Sequence, residues 1–228
     1  MTRLLFAFVL ICCCALTTVH AVPVGLIEIT IEPSKNKIHP PESLFVDINI
    51  SGLQSGGIDN LLGAWQMDFH YDADLFNPLN IPPAGWGGKL GNITNGETVG
   101  GVDTSTPGVI DIFEVSLLFD FELDSFPFQR DLDGNLLDSF RLATLGFYAP
   151  SGTGFNDPST LLFTDNIVLS DAYGNVLSDV NGEIIPVQHL PVSIKIPEPA
   201  TWVLFGIGFI GLLRFRKMKR PMIRMALK

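Results

Sequence analysis

Cysteine is nearly missing from this chain. The three in its 228 residues, Cys12, Cys13 and Cys14, stand side by side in one apolar run near the N-terminus. Everything after them therefore lacks disulfides, a thiolate nucleophile and any cysteine metal site. Basic residues are scarce as well. Between Val22 and Ile196, 23 Asp and Glu face 6 Lys and Arg, a balance of −17. Such a body repels phosphate backbones, so nucleic acid is excluded as a partner. Histidine is rare: beyond His20 there are His39, His70 and His189. His39 precedes Pro40-Pro41, His70 lies on the wet face of a strand pattern, and His189 sits in a Pro-flanked connector. No Gly-x-Ser-x-Gly, no His-Glu-x-x-His and no paired histidine spacing occurs. Acid pairs are plentiful, and spacing alone leaves a glycosidase dyad open. They alternate with apolar residues, however, as solvated strand faces do. The expectation is a non-enzyme without a cofactor.

The two ends carry the short apolar runs. MTRLLFAFVLICCCALTTVHA has Arg3, an apolar stretch from Leu4 to Leu16, and Val19-His20-Ala21. That order is a secretory signal peptide over residues 1–21, helical in its apolar part, with cleavage expected after Ala21. Cys12 follows Ile11, whereas a lipid-attachment cysteine requires a small residue before it. At the other end, IPEPATWVLFGIGFIGLLRFRKMKR joins Pro197-Glu198-Pro199 to an apolar run and a basic block. From Arg214 to Lys228 there are 7 Lys and Arg and no acid, the pattern of a cytoplasmic flank. The uncharged run Ala200 to Leu213, read as a hydrophobic transmembrane helix, is about 21 Å long, short of the roughly 30 Å hydrocarbon core. With Arg214 and Arg216 snorkelling it spans a thinned bilayer. Its Gly206-x-Gly208-x-x-Gly211 is no dinucleotide fingerprint, because no strand-to-helix turn precedes it and no acid follows. A transient sorting segment and a permanent anchor both remain open.

The body, residues 22–196, reads as all-β. LIEITIE alternates Ile27, Ile29 and Ile31 against Glu28, Thr30 and Glu32. LFVDINIS alternates Val46, Ile48 and Ile50 against Asp47 and Asn49. AWQMDFHYD sets Trp65, Met67, Phe69 and Tyr71 against Gln66, Asp68, His70 and Asp72. LLFDFELD repeats the pattern with Phe119, Phe121 and Leu123, and RLATLGFYA, LLFTDNIVLS, GEIIPV and PVSIKI complete the expected strands. Turn formers such as Asp133-Gly134-Asn135, Gly174-Asn175 and Asn181-Gly182 separate them. Short strands with one apolar and one wet face imply two packed antiparallel sheets. The Gly- and Pro-rich stretch from Asn77 to Gly108 is expected as a long loop, or a loop with one weak strand near Lys89–Thr94. Within it Trp86 is a candidate sugar platform, or else a cap on the open end of the sandwich. In DLDGNLLDSF, Asp131, Asp133, Asn135 and Asp138 are candidate calcium ligands. Leu136 and Leu142 occupy the positions where an EF-type loop needs Gly and Glu, so a hairpin turn competes with that reading.

Two resemblances arise. ITIEPSKNKIHPPESLFVDINISGL, then LGAWQMDFHYDADLFNP, and later RLATLGFYA with TLLFTDNIVLSDAYGNVL, resemble cohesin-like domains. The carrying motifs are Leu62-Gly63-Ala64 and Tyr71-Asp72-Ala73-Asp74-Leu75, and the likeness covers most of the chain from about Ile27 to Ile196. It implies a jelly-roll-like antiparallel β-sandwich, related to carbohydrate-binding modules, that binds a protein or polysaccharide partner. The tail over residues 197–220, with its basic extension to Lys228, resembles a PEP-CTERM sorting signal. That likeness implies recognition by an exosortase, a membrane protease of Gram-negative bacteria. It also implies delivery to the cell envelope, outer surface or exopolysaccharide matrix, with links to biofilm. The alternatives are a carbohydrate-binding module proper, or a permanently membrane-anchored surface adhesion or interaction domain.

Overall fold

The computed structural model describes residues 25–54, 60–79, 85–151, 159–178, 182 and 184–196. Ala21, Pro197, Glu198, Pro199 and the apolar run 200–213 lie outside the described residues. Among the described residues no helix is long and apolar enough to cross a membrane.

Among the described residues ten strands form two five-stranded sheets. In chain order they are β1 (Ile27–Pro33), β2 (Glu42–Ser51), β3 (Ala64–His70), β4 (Asn77–Pro78), β5 (Thr98–Asp103), β6 (Val109–Ser116), β7 (Phe140–Ala149), β8 (Ser159–Ser170), β9 (Val187–His189) and β10 (Val192–Lys195). Sheet one runs β4-β7-β2-β1-β9 and sheet two runs β10-β8-β3-β6-β5. Neighbours are antiparallel, except that β9 joins β1 in parallel. Strands consecutive in the chain pair only at β1–β2 and β5–β6; every other connection crosses from one sheet to the other.

Period-two alternation sends one face of each strand into the seam between sheets. Sheet one contributes Ile27, Ile29, Ile31, Val46, Ile48, Ile50, Leu145 and Phe147, all buried. Sheet two answers with Trp65, Met67, Phe69, Ile110, Ile112, Leu162 and Ile194. Each such side chain contributes about 1.5–3 kcal/mol on burial. Phe147 is the aromatic hub across the seam, with Phe69 at 5.7 Å, Tyr71 at 5.3 Å and Phe76 at 6.0 Å between ring centroids.

Three expectations are corrected, and one strand was not expected. LLFDFELD is not a strand: Asp120–Leu123 form a single helical turn, α1. The Glu122 carboxylate accepts from the Phe119 N–H at 2.9 Å, closing the turn's N-terminus as a capping Glu does. Only Leu123 of the three apolar residues is buried; Phe119 and Phe121 are 68% exposed and stack on each other at 5.7 Å. The weak strand near Lys89–Thr94 is instead a 3-10 turn at Ile93–Asn95, capped by the Asn92 side chain, and the strand follows at Thr98–Asp103. GEIIPV supplies only a bridge between Ile184 and Ser178, and the strand falls on Val187–His189. Finally, β6 is absent from the expected set although VIDIFEVS alternates cleanly in the structure.

Candidate functional site

The outer face of sheet two concentrates chemistry. Asp68 lies opposite Asp165 on β8 and opposite Asp111 on β6, and Asp111 lies opposite Asp103 on β5. Four aspartates thus form one row straight across β8-β3-β6-β5. Their strand neighbours Phe69, Ile110, Ile112 and Thr164 are buried, so the row faces outward. Like charges directly opposite one another disfavour the sheet. Among the described residues no Lys or Arg pairs with the row; its one ion-pair partner is His70, whose Nε2 is 2.8 Å from Asp165 Oδ1. Gln66 donates to Asp111 at 3.1 Å and Asn166 donates to Asp68 at 2.6 Å. The His70 ring is held flat on Phe163, 4.4 Å between centroids and 4° between planes.

Apolar side chains flank this row. Leu161 and Val168 of β8, Phe113 and Val115 of β6, and Val99 of β5 are exposed. Phe113 lies over Gly101, where a Cβ would come within 2.4 Å of the ring. Sheet one differs, because its outer face presents Glu28, Thr30, Glu32, Asp47, Asn49 and Arg141, with an apolar cluster of Phe45, Leu79 and Tyr148 near its β4 edge.

Trp86 sits at the seam. Its backbone bridges to Ala143 of sheet one, while its ring covers Gly100 of sheet two, where a Cβ would meet it at 2.6 Å. It packs on Trp65 at 5.7 Å, half-buried. One edge lines a groove of about 540 Å³ with Asn92, Asn95, Glu97 and Phe128. Beneath it, Glu114 points inward from β6 and is 1% exposed. The Trp65 indole donates to its Oε2 at 3.2 Å and the Thr98 hydroxyl to its Oε1 at 3.3 Å. Burial pushes its carboxyl up to about 7, against the opposing pull of those two hydrogen bonds.

Asp131 and Asn135 come together in a turn, but Asp138 is directed elsewhere. Asp131 Oδ1 accepts from the N–H groups of Asp133 and Asn135, at 2.9 and 2.8 Å. The Asn135 side chain, followed by these N–H groups, holds the Asp131 carboxyl below the usual range. Asp138 Oδ1 accepts from the Gln54 N–H at 2.9 Å instead. Asp171 and Asn175 build the same turn, with matching bonds of 2.9, 2.8 and 3.0 Å. Gly134 and Gly174 take φ of 82° and 83°, the left-handed conformation that their positions in these turns require. Gly63 in Leu62-Gly63-Ala64 has no room for a side chain: a Cβ there would lie 2.3 Å from the Asp171 carbonyl oxygen. The buried Gln129 side chain pairs with Leu62 like a strand edge, donating at 2.6 Å and accepting at 2.8 Å.

Sequence reasoning missed the aspartate row and Glu114. The row depends on the register of four strands, of which only β5 and β6 are consecutive in the chain. Glu114 had a readable signal, an acid in phase with Ile110 and Ile112 on the buried side of an alternating run.

Residues 195–217 match the family model described as the PEP-CTERM protein-sorting motif. That motif marks the chain for export and membrane-associated sorting. No curated protein matches the chain. Among solved structures, the chain is similar to a type II cohesin domain from the cellulosome of Acetivibrio cellulolyticus, with TM-score 0.53 and 14% identity over 74% of this chain and 95% of that one. It is also similar to a type II cohesin–X–dockerin complex of the same organism, an N-terminal interface mutant, with TM-score 0.54 and 15% identity over 75% and 99%. A third similarity is to the second type II cohesin module of an adaptor scaffoldin from that organism, with TM-score 0.51 and 15% identity over 74% and 89%. The fold is therefore a cohesin-like β-sandwich joined to a PEP-CTERM tail.

Proposed function

We propose that this protein is an exported, non-catalytic interaction module. Its tail, recognised by an exosortase-type protease, delivers it to the cell envelope or exopolysaccharide matrix. There it holds a protein partner on the outer face of sheet two. The observation that carries this reading is the row Asp165–Asp68–Asp111–Asp103 flanked by exposed Leu161, Phe113 and Val115. A partner presenting Lys or Arg amid apolar side chains satisfies both parts, charge setting approach and register while the apolar anchors supply affinity. A dockerin-type partner, as in the cohesin complexes, is the model for such an arrangement.

A photo-crosslinking residue placed at Phe113, with another at Phe45 on sheet one, tests the face. Crosslinks to one defined partner from position 113 alone support the reading. Equal crosslinking from both positions, or from position 45 alone, refutes it. Intact-mass analysis of the exported protein tests the tail. A mass ending near Pro197-Glu198-Pro199 supports sorting with processing, and a mass running to Lys228 supports a permanent anchor.

A second reading rests on the groove at Trp86. Its half-exposed indole, with Asn92, Asn95 and Glu97 along one wall, has the make-up of a sugar subsite. Binding to a polysaccharide array that vanishes in folded Trp86→Ala supports it, and binding that survives the change removes it.

A further inference from the structure

We propose that Asp68, His70 and Asp165 form a binding site for a divalent first-row transition-metal ion of the zinc type. This goes beyond the partner-binding reading and stands whether or not sheet two docks a protein. One ligand atom from each of the three residues lies within 4.8 Å of the others. Bonds of about 2.1 Å in the tetrahedral arrangement of zinc set ligand atoms about 3.4 Å apart, so side-chain rotation must bring the widest pair closer by up to about 1.4 Å. The tightest pair, His70 Nε2 and Asp165 Oδ1 at 2.8 Å, opens by about 0.6 Å when an ion replaces the hydrogen bond between them.

Three features separate this cluster from an ordinary acidic face. Its donor set is mixed, and imidazole with carboxylates favours zinc-type ions over the all-oxygen preference of Ca²⁺ and Mg²⁺. Its imidazole is preorganised, because His70 is paired across the strands with Phe163 and lies flat on that ring. Its charge is unbalanced, since Asp68 and Asp165 face each other in register with no Lys or Arg pairing to either among the described residues. Two carboxylates and a neutral imidazole neutralise a 2+ ion. The half-exposed setting leaves further coordination positions to water or to a group from outside.

The test uses the full-length chain in detergent, free of any histidine tag, titrated with Zn²⁺ alone near neutral pH. The expected result is saturable 1:1 binding and a shift of the His70 ring signals in NMR while His39 and His189 stay in place. His70→Gln and Asp165→Asn each weaken binding at least about tenfold, the scale on which even an outer-shell partner matters. His189→Gln leaves binding unchanged, and Ca²⁺ does not compete at equal concentration. No saturable binding at millimolar Zn²⁺, or His70→Gln binding as tightly as the native chain, overturns the proposal. The ring shift is read on the native protein, so the test does not depend on the variants folding.

Discussion

Replacing Glu114 by Gln should stabilise this protein at alkaline pH and do nothing for it at acid pH. Glu114 is 1% exposed and its carboxyl titrates near 7 in the folded chain, from 4.5 as the ordinary value. Below about pH 4.5 both states carry the proton and there is no penalty. Between 4.5 and 7 the unfolded chain releases it while the folded chain holds it, so stability falls as pH rises. Above 7 the full penalty stands. A tenfold difference in proton affinity corresponds to about 1.4 kcal/mol, which puts the loss at about 3 kcal/mol. Glutamine keeps the shape and removes the charge. Its carbonyl accepts from the Trp65 indole as Oε2 does at 3.2 Å. Its amide donates to the Thr98 hydroxyl, whose proton, divided in the native chain between Glu114 Oε1 at 3.3 Å and the Val115 carbonyl at 2.8 Å, then goes to the carbonyl alone. Urea unfolding of the native chain and Glu114→Gln, at pH 5 and pH 8.5, reads the difference, and the other acids titrate alike in both proteins and cancel. A stability gap that is the same at both pH values within about 0.5 kcal/mol refutes a buried, protonated Glu114.

Phe121→Ser discriminates α1 from the strand that LLFDFELD suggests. A core Phe costs about 3–5 kcal/mol on truncation, whereas an exposed one changes stability by about 0.5 kcal/mol or less, and urea midpoints decide. Gly63→Ala puts a methyl 2.3 Å from the Asp171 carbonyl oxygen, against backbone that has to move. The expected cost is about 1–3 kcal/mol, with hydrogen exchange rising in the 171–175 turn. Trp86→Ala removes a half-buried ring that spans both sheets and packs on Trp65. It should cost about 2 kcal/mol, less than a fully buried Trp, and red-shift the Trp65 fluorescence.

Alternation made most strands legible, because each buried face needs a clean period of two. Ile27, Ile29 and Ile31, and Trp65, Met67 and Phe69, occupy the core as their spacing demands. The same signal misled at Phe119 and Phe121, where a helical turn closed by Glu122 carries a pattern indistinguishable from a strand. Trp86 was readable as a candidate but not as the link between sheets, since that role needs Gly100 and Ala143 in place. The aspartate row was not readable at all, because four acids across β8, β3, β6 and β5 become neighbours only through register.

That register has a local cause in β8. Thr160, Leu162 and Thr164 face inward, and so does Leu169. An uninterrupted strand cannot bury both Thr164 and Leu169, which are five residues apart and fall on opposite faces. The conflict is resolved by a bulge, where β3 steps from Gln66 to Asp68 while β8 steps from Val168 to Asp165. One residue of β8 is left over, and Asn166 takes φ of 49°, a conformation asparagine tolerates better than most residues. Burying Leu169 thus places Asp165 opposite Asp68 and beside His70, with Asn166 turned to donate to Asp68. Deleting Asn166 would return β8 to a regular strand. It would then expose Leu169 or break the Asp68–Asp165 pairing, so packing and the chemistry of the outer face are coupled at this one residue.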